Sequence, residues 1–199
     1  MQYTKQYLRE SGKICKEIDT DAIEKMVGLL RRCADDKGRL FILGLGGSAA
    51  NASHAVNDFR KICRIDAHTP TDNVAEFSAR VNDEGLSKTF INYLRVSRLN
   101  KNDAIMIFSV NGGDSERSIS PNIIEAIDYA KQRKSRIIGV VGSDRGYTAQ
   151  KADVCVVIPT VSIERRTAHA EEFQAVVWHL LVNHPTLRPR QRANNIILW

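Results

Sequence analysis

Two short segments of this chain combine glycines with hydroxyl side chains, Gly44-Leu45-Gly46-Gly47-Ser48 and Ser109-Val110-Asn111-Gly112-Gly113-Asp114-Ser115. Each follows an apolar run and precedes a helical pattern, so each reads as a strand-to-helix turn. Glycine lets the backbone approach an anion, and the free N–H groups of a helix N-terminus offer it a partial positive charge. A phosphorylated ligand is the chemistry that suits the pair, although either segment alone also reads as a tight turn. Gly44, Gly46 and Ala49 fit the G-x-G-x-x-G/A dinucleotide fingerprint as well, with Asp66 about 20 residues on. The chain leaves little room for a separate substrate domain, and that fold does not call for a second serine-bearing loop. A nicotinamide enzyme is therefore the weaker reading.

The titratable residues near these turns are fewer. His54 and Asp58 stand four apart on the helix after the first turn and share a face with Asn51. Spacing alone reads this face equally well as the solvated side of the helix. His179 lies near the end of an apolar helical run, EEFQAVVWHLLV, where a hydrogen-bonded core histidine is the ordinary explanation.

The elements that must position these residues follow from periodicity. Residues 1–36 read as helix: after the capping residues Asp19 and Thr20, Ile23, Met26, Val27 and Leu30 recur at helical spacing. Apolar runs at 39–47, 104–113, 136–143 and 153–159 read as buried strands. Residues 48–61, about 120–131 and 171–182 read as helices, and 71–98 as helical. Strands alternating with helices predict a parallel sheet covered on both faces. Ligands of such sheets bind beyond the carboxyl ends of the strands, so residues 44–51 and 109–117 are where a site is expected.

Composition sets the bounds. At 199 residues, with 43% hydrophobic and 26% charged residues, the chain suits one globular domain over 1–199. No apolar run approaches the ~20 residues of a membrane span. The opening MQYTKQYLRESGK has no apolar leader segment, so a cytoplasmic protein is expected. Cys15, Cys33, Cys63 and Cys155 are scattered and read as free thiols. The net charge is +6, but the basic residues form no single block; the most regular set is Arg188, Arg190 and Arg192. A nucleic-acid partner is not expected, since a positive field also serves phosphate ligands.

The segments GLGGSAANASHAVNDF, RVNDEG, FSVNGGDS and HAEEFQAVVWH together resemble the sugar isomerase (SIS) domain family, and within it the phosphoheptose (sedoheptulose 7-phosphate) isomerases. The likeness runs from the N-terminal helices to about residue 183. It implies an α/β, flavodoxin-like three-layer sandwich with a five-stranded parallel sheet. It also implies a homotetramer with shared active sites, and interconversion of sedoheptulose 7-phosphate with a manno-heptose 7-phosphate. Some members bind zinc, and some relatives are non-catalytic sugar-phosphate sensors or bind the bacterial replication initiator. The first loop departs from the family's GNGGS at Leu45. The second departs from STSGNS: Val110 lacks a hydroxyl, Asn111 replaces a serine, Asp114 adds a negative charge that Arg117 can offset, and Ser115 matches with a one-residue shift.

The resemblance implies roles by position. Gly46, Gly47, Ser48, Asn51, Asn82, Asp83, Ser109, Asn111, Ser115 and Glu171 are expected to bind substrate. His54, Asp58, Glu171 and His179 are expected to bind zinc or another divalent metal, Asp58 standing where the family has glutamate. Asp58 and His179 are the expected acid/base pair for an enediol reaction. Eight residues turn about 800° and seven about 700°, so Glu172 lies nearer the His179 face than Glu171 does; His169 is a further candidate. The tail, residues 184–199, is expected to pack on a neighbouring subunit.

Overall fold

The computed structural model describes residues 2–189. Asp19 divides the N-terminal region into α1 (Gln2–Glu17) and α2 (Thr20–Asp35), its side chain accepting the Ala22 N–H as an N-cap. There follow β1 (Leu40–Leu43), α3 (Gly47–Lys61), β2 (Ala67–His68), α4 (Val74–Glu84), a 3₁₀ turn at Leu86–Lys88, α5 (Thr89–Val96) and β3 (Ala104–Ser109). The chain continues through α6 (Pro121–Gln132), β4 (Arg136–Val141), α7 (Tyr147–Lys151), β5 (Val154–Val157) and α8 (Arg166–Asn183). The region expected as helical at 71–98 is thus two helices broken by Gly85, which has φ +80°.

The five strands are all parallel in the order β2-β1-β3-β4-β5, the expected flavodoxin-like order. Both sheet faces are apolar, because alternate residues of each strand serve different layers. Leu40, Ile42, Met106, Phe108, Ile138 and Val140 pack beneath α2, α3 and α8. Phe41, Leu43, Ile105 and Ile107 pack with Phe90, Leu94, Ile123 and Ile127 from α5 and α6. β1 and β3 are neighbours from which the strand order runs in opposite directions. The loops leaving these two strands are the two glycine turns, and they flank the resulting crevice.

The start of the tail folds onto its own chain, which corrects the expectation of packing on a neighbour for these residues. Leu187 is buried in the core, Arg31 donates to the Thr186 carbonyl, and His184 pairs with Glu24 of α2. Arg190 and Arg192 lie outside the described residues. Among the described residues, no helix is long and apolar enough to cross a membrane.

Candidate active site

The crevice is a cavity of about 150 Å³ lined by Leu45, Ser48, Phe108, Ser109, Val110, Asn111, Ser120, Ile123 and Glu171. Gly46 makes the first turn possible: its φ of +59° is left-handed. At Gly47 the reason is space, since a Cβ there would fall 2.5 Å from the Glu171 carboxylate. Ser48 and Ser109 are nearly buried, and each hydroxyl already accepts one hydrogen bond. Ser48 accepts from Gln174 Nε2 at 3.0 Å, and Ser109 from the Gly112 N–H at 3.0 Å. Each therefore has its own O–H left to donate into the cavity, the polarity an anion needs.

α3 and α8 start at this crevice and run down the sheet side by side. Asn51 joins them, its amide donating to the Glu171 carbonyl at 2.9 Å and to Gln174 Oε1 at 3.0 Å. The Asn51 N–H groups are thereby engaged between helices. His54 is seven residues beyond Gly47, so at ~1.5 Å per residue it sits about 10 Å from the loop. There His54, Asp58 and His179 come together, with one ligand atom from each all within 4.8 Å of one another. His54 Nε2 is 3.9 Å from Asp58 Oδ2, and the two imidazole centroids are 5.6 Å apart.

The tautomer at His179 follows from its partner. Nδ1 lies 2.8 Å from the Ala175 carbonyl, which can only accept, so Nδ1 carries the hydrogen and Nε2 presents a lone pair. Asp58 accepts from Asn57 Nδ2 at 2.8 Å and is the least exposed of the three. Buried Trp178 backs both histidines, its ring centroid 3.5 Å from His179 and 4.7 Å from His54. Two imidazole nitrogens and a carboxylate are a donor set for zinc or a similar divalent ion, and three protein ligands leave a position open for water or substrate. Around an ion with ~2 Å bonds, ligand atoms lie about 3.3 Å apart, so the set would have to draw together, with the exposed His54 the ligand that has room to move.

Several expected site residues stand elsewhere within the chain. Seven or eight residues rise about 10–12 Å along a helix, so neither Glu171 nor Glu172 reaches His179. Glu171 instead lines the crevice. Glu172 accepts the Tyr7 hydroxyl and lies 3.2 Å from His169 Nδ1. Asn82 and Asp83 are exposed on α4, Asn82 Nδ2 donating to Asp83 Oδ1 at 2.7 Å. Ser115 is exposed in a turn closed by the Asp114–Ile119 bridge. Asp114 caps that turn, accepting the N–H groups of Glu116 and Arg117, so its charge is spent locally.

Sequence reasoning missed Ser120, Gln174 and Trp178. Ser120 is the one that left a signal: it precedes Pro121 at N1 of α6, the usual pattern of a helix start.

His169 belongs to a second cluster, which ties α1 to α8. Its Nε2 lies 3.0 Å from Glu10 Oε2, and Arg165 donates to Glu10 at 2.8 and 2.9 Å. The Arg165 guanidinium, then His169, holds the Glu10 carboxyl down at about 2 from its ordinary 4.5. The hydrogen bond to Glu172, with burial second, pushes the Tyr7 hydroxyl up to about 12. A depressed carboxyl stabilises the fold above its unfolded pKa and loses that contribution as pH falls through its folded one. Thermal melts should therefore show wild type losing more stability than Glu10→Gln between pH about 4.5 and about 2.

Residues 6–142 match the sequence model of the family described as the SIS domain. The chain is 29% identical over 180 residues to the lincomycin biosynthesis protein LmbN of Streptomyces lincolnensis, covering 87% of this chain and 65% of that protein. It is 26% identical over 172 residues to a phosphoheptose isomerase of Chlorobaculum tepidum, covering 82% and 77%. Among solved structures it is similar to the phosphoheptose isomerase GmhA of Neisseria gonorrhoeae, with a TM-score of 0.80 and 24% identity over 92% of this chain and 97% of that one.

Proposed function

The chain belongs to the SIS domain family, and from that footing we propose that it is a cytoplasmic phosphosugar aldose–ketose isomerase interconverting sedoheptulose 7-phosphate and a manno-heptose 7-phosphate. The observation that carries this reading is the set His54, Asp58 and His179, joined by α3 to a cavity suited to an anion. A module that only bound sugar phosphates would need the cavity and not the set. The likeness to phosphoheptose isomerases supports the choice of a seven-carbon substrate.

In the proposed reaction the phosphate occupies the crevice on the second-loop side, at the Ser109 hydroxyl. The sugar chain then extends along α3 toward His54. Asp58 removes the proton from the carbon beside the carbonyl, and His179 Nε2 carries the proton to and from the oxygen. With His179 Nε2 kept for the proton, zinc or another divalent cation held by His54 and Asp58 would polarise the carbonyl. Asn57 orients the Asp58 carboxylate, and the Ala175 carbonyl fixes the His179 tautomer. Purified protein should convert sedoheptulose 7-phosphate in preference to pentose and hexose phosphates, and a chelator should stop it with recovery on adding zinc. Tight binding without conversion across such a panel would favour a regulatory sugar-phosphate-binding protein.

We further infer a homotetramer. α4 buries none of its residues within one chain, and Val74 is 73% exposed, a surface suited to a subunit contact. Sedimentation as a stable monomer at micromolar concentration would contradict this.

A further inference from the structure

We propose that Arg166 is the phosphate-recognising cation of the crevice and orients the substrate within it, an inference that rests on the isomerase reading above.

Arg166 is the first residue of α8, and its Nη2 donates to Asn111 Oδ1 at 2.8 Å. Asn111 lines the crevice, so the guanidinium stands at the edge of the cavity. It is half-buried. Among the described residues it has no carboxylate within ion-pair distance, whereas its neighbour Arg165 is held by Glu10. Its one side-chain hydrogen-bond partner among the described residues is a neutral amide, which fixes its direction without neutralising its charge.

This position breaks a rule of helix electrostatics. Cations are disfavoured in the first turn of a helix because the N-terminus is already positive, and α8 has no acidic residue there. A half-buried, uncompensated guanidinium at such a place becomes favourable once an anion arrives. Asp114, the carboxylate that the sequence puts beside this loop, caps its own turn and does not pair with Arg166. Glu171, the other carboxylate of the crevice, sits against Gly47 on the first-loop side.

The two loops are therefore of opposite character. The second offers Ser109, Asn111 and Arg166, together with Ser120, which is left-handed at φ 51° and makes no side-chain capping bond to α6. The first faces the Glu171 carboxylate of α8. A phosphate seats on the second loop, where the planar fork of arginine matches its oxygens two at a time. This leaves the sugar end to pass Ser48 and Glu171 toward Asp58. The guanidinium thereby replaces the recognition lost where the second loop has Val110 and Asn111 in place of hydroxyl side chains.

The test uses the full-length protein and two probes, inorganic phosphate by calorimetry and sedoheptulose 7-phosphate by turnover. Charge-assisted hydrogen bonds are worth ~1.5–3 kcal/mol, so Arg166→Gln should weaken inorganic phosphate about 10–150-fold. KM for the sugar phosphate should rise by a similar factor with kcat little changed. Arg166→Lys should recover part of the loss, because the charge returns without the fork. Unchanged phosphate affinity in both variants would overturn the proposal. So would a fall in kcat and thermal stability with no change in phosphate binding, which marks a structural role. The calorimetric arm does not depend on turnover, so a wild type that binds phosphate through Arg166 but isomerises nothing would fail the isomerase reading alone.

Discussion

His179→Ala should lower isomerisation by ~10²–10⁴-fold while leaving the fold and its melting temperature essentially intact, because one proton-transfer group typically supplies that much rate. The side chain is exposed, and its one hydrogen bond is to a carbonyl of its own helix, so the packing lost is confined to its stacking on Trp178 and its edge contact with His54. Asp58→Asn should have a comparable effect, since the amide keeps the shape but cannot take up the proton. Asp58→Glu restores the carboxylate on a longer arm. It should retain activity, because the exposed His54 beside it has room to yield to the longer arm. Zinc content measured on the same proteins separates the two roles. Loss of both metal and turnover in His179→Ala marks a ligand, and loss of turnover with metal retained marks a proton carrier.

Trp178→Ala should have the largest effect on stability near the site, about 3–5 kcal/mol by analogy with other buried aromatic truncations. For a chain of this size that corresponds to a fall in melting temperature of about 6–20 °C. The ring is 1% exposed and supports both imidazoles, so removing it leaves a cavity beneath them. Its Nε1 has no hydrogen-bond partner among the described residues. Trp178→Phe therefore gives up volume but no polar contact, and most of the stability should return. Differential scanning calorimetry of the two variants, with activity measured below the transition, reads both effects.

The parts of the fold that local rules dictate were legible in the sequence. Asp19 caps α2 as its side-chain chemistry requires, and the apolar runs ending in glycine became β1 and β3, with their loops at the crevice. β2 is only two residues long, too short for any periodicity, and exists because Leu40 and Phe41 pair with it. The pairing of His54 with Asp58 follows from one helix. Its closure by His179 depends on α3 and α8 lying side by side, a tertiary fact that spacing does not contain. Ser115 was misplaced because the Asp114–Ile119 bridge carries it outward and leaves Ser120 to line the crevice. Arg166 escaped notice because the polar stretch before the apolar EEFQAVVWHLLV run gave no helical signal, although α8 begins there. Glu171 kept its place at the crevice for a reason visible only in space, the missing Cβ of Gly47.

The central claim is proton transfer at carbon by Asp58 and at oxygen by His179, and it is tested most directly by following sedoheptulose 7-phosphate with the zinc-loaded protein in deuterium oxide. Nuclear magnetic resonance should show an aldose 7-phosphate forming with deuterium at the carbon beside its carbonyl, and neither signal should appear with Asp58→Asn. Binding of the sugar phosphate with no conversion and no deuterium incorporation would contradict the claim.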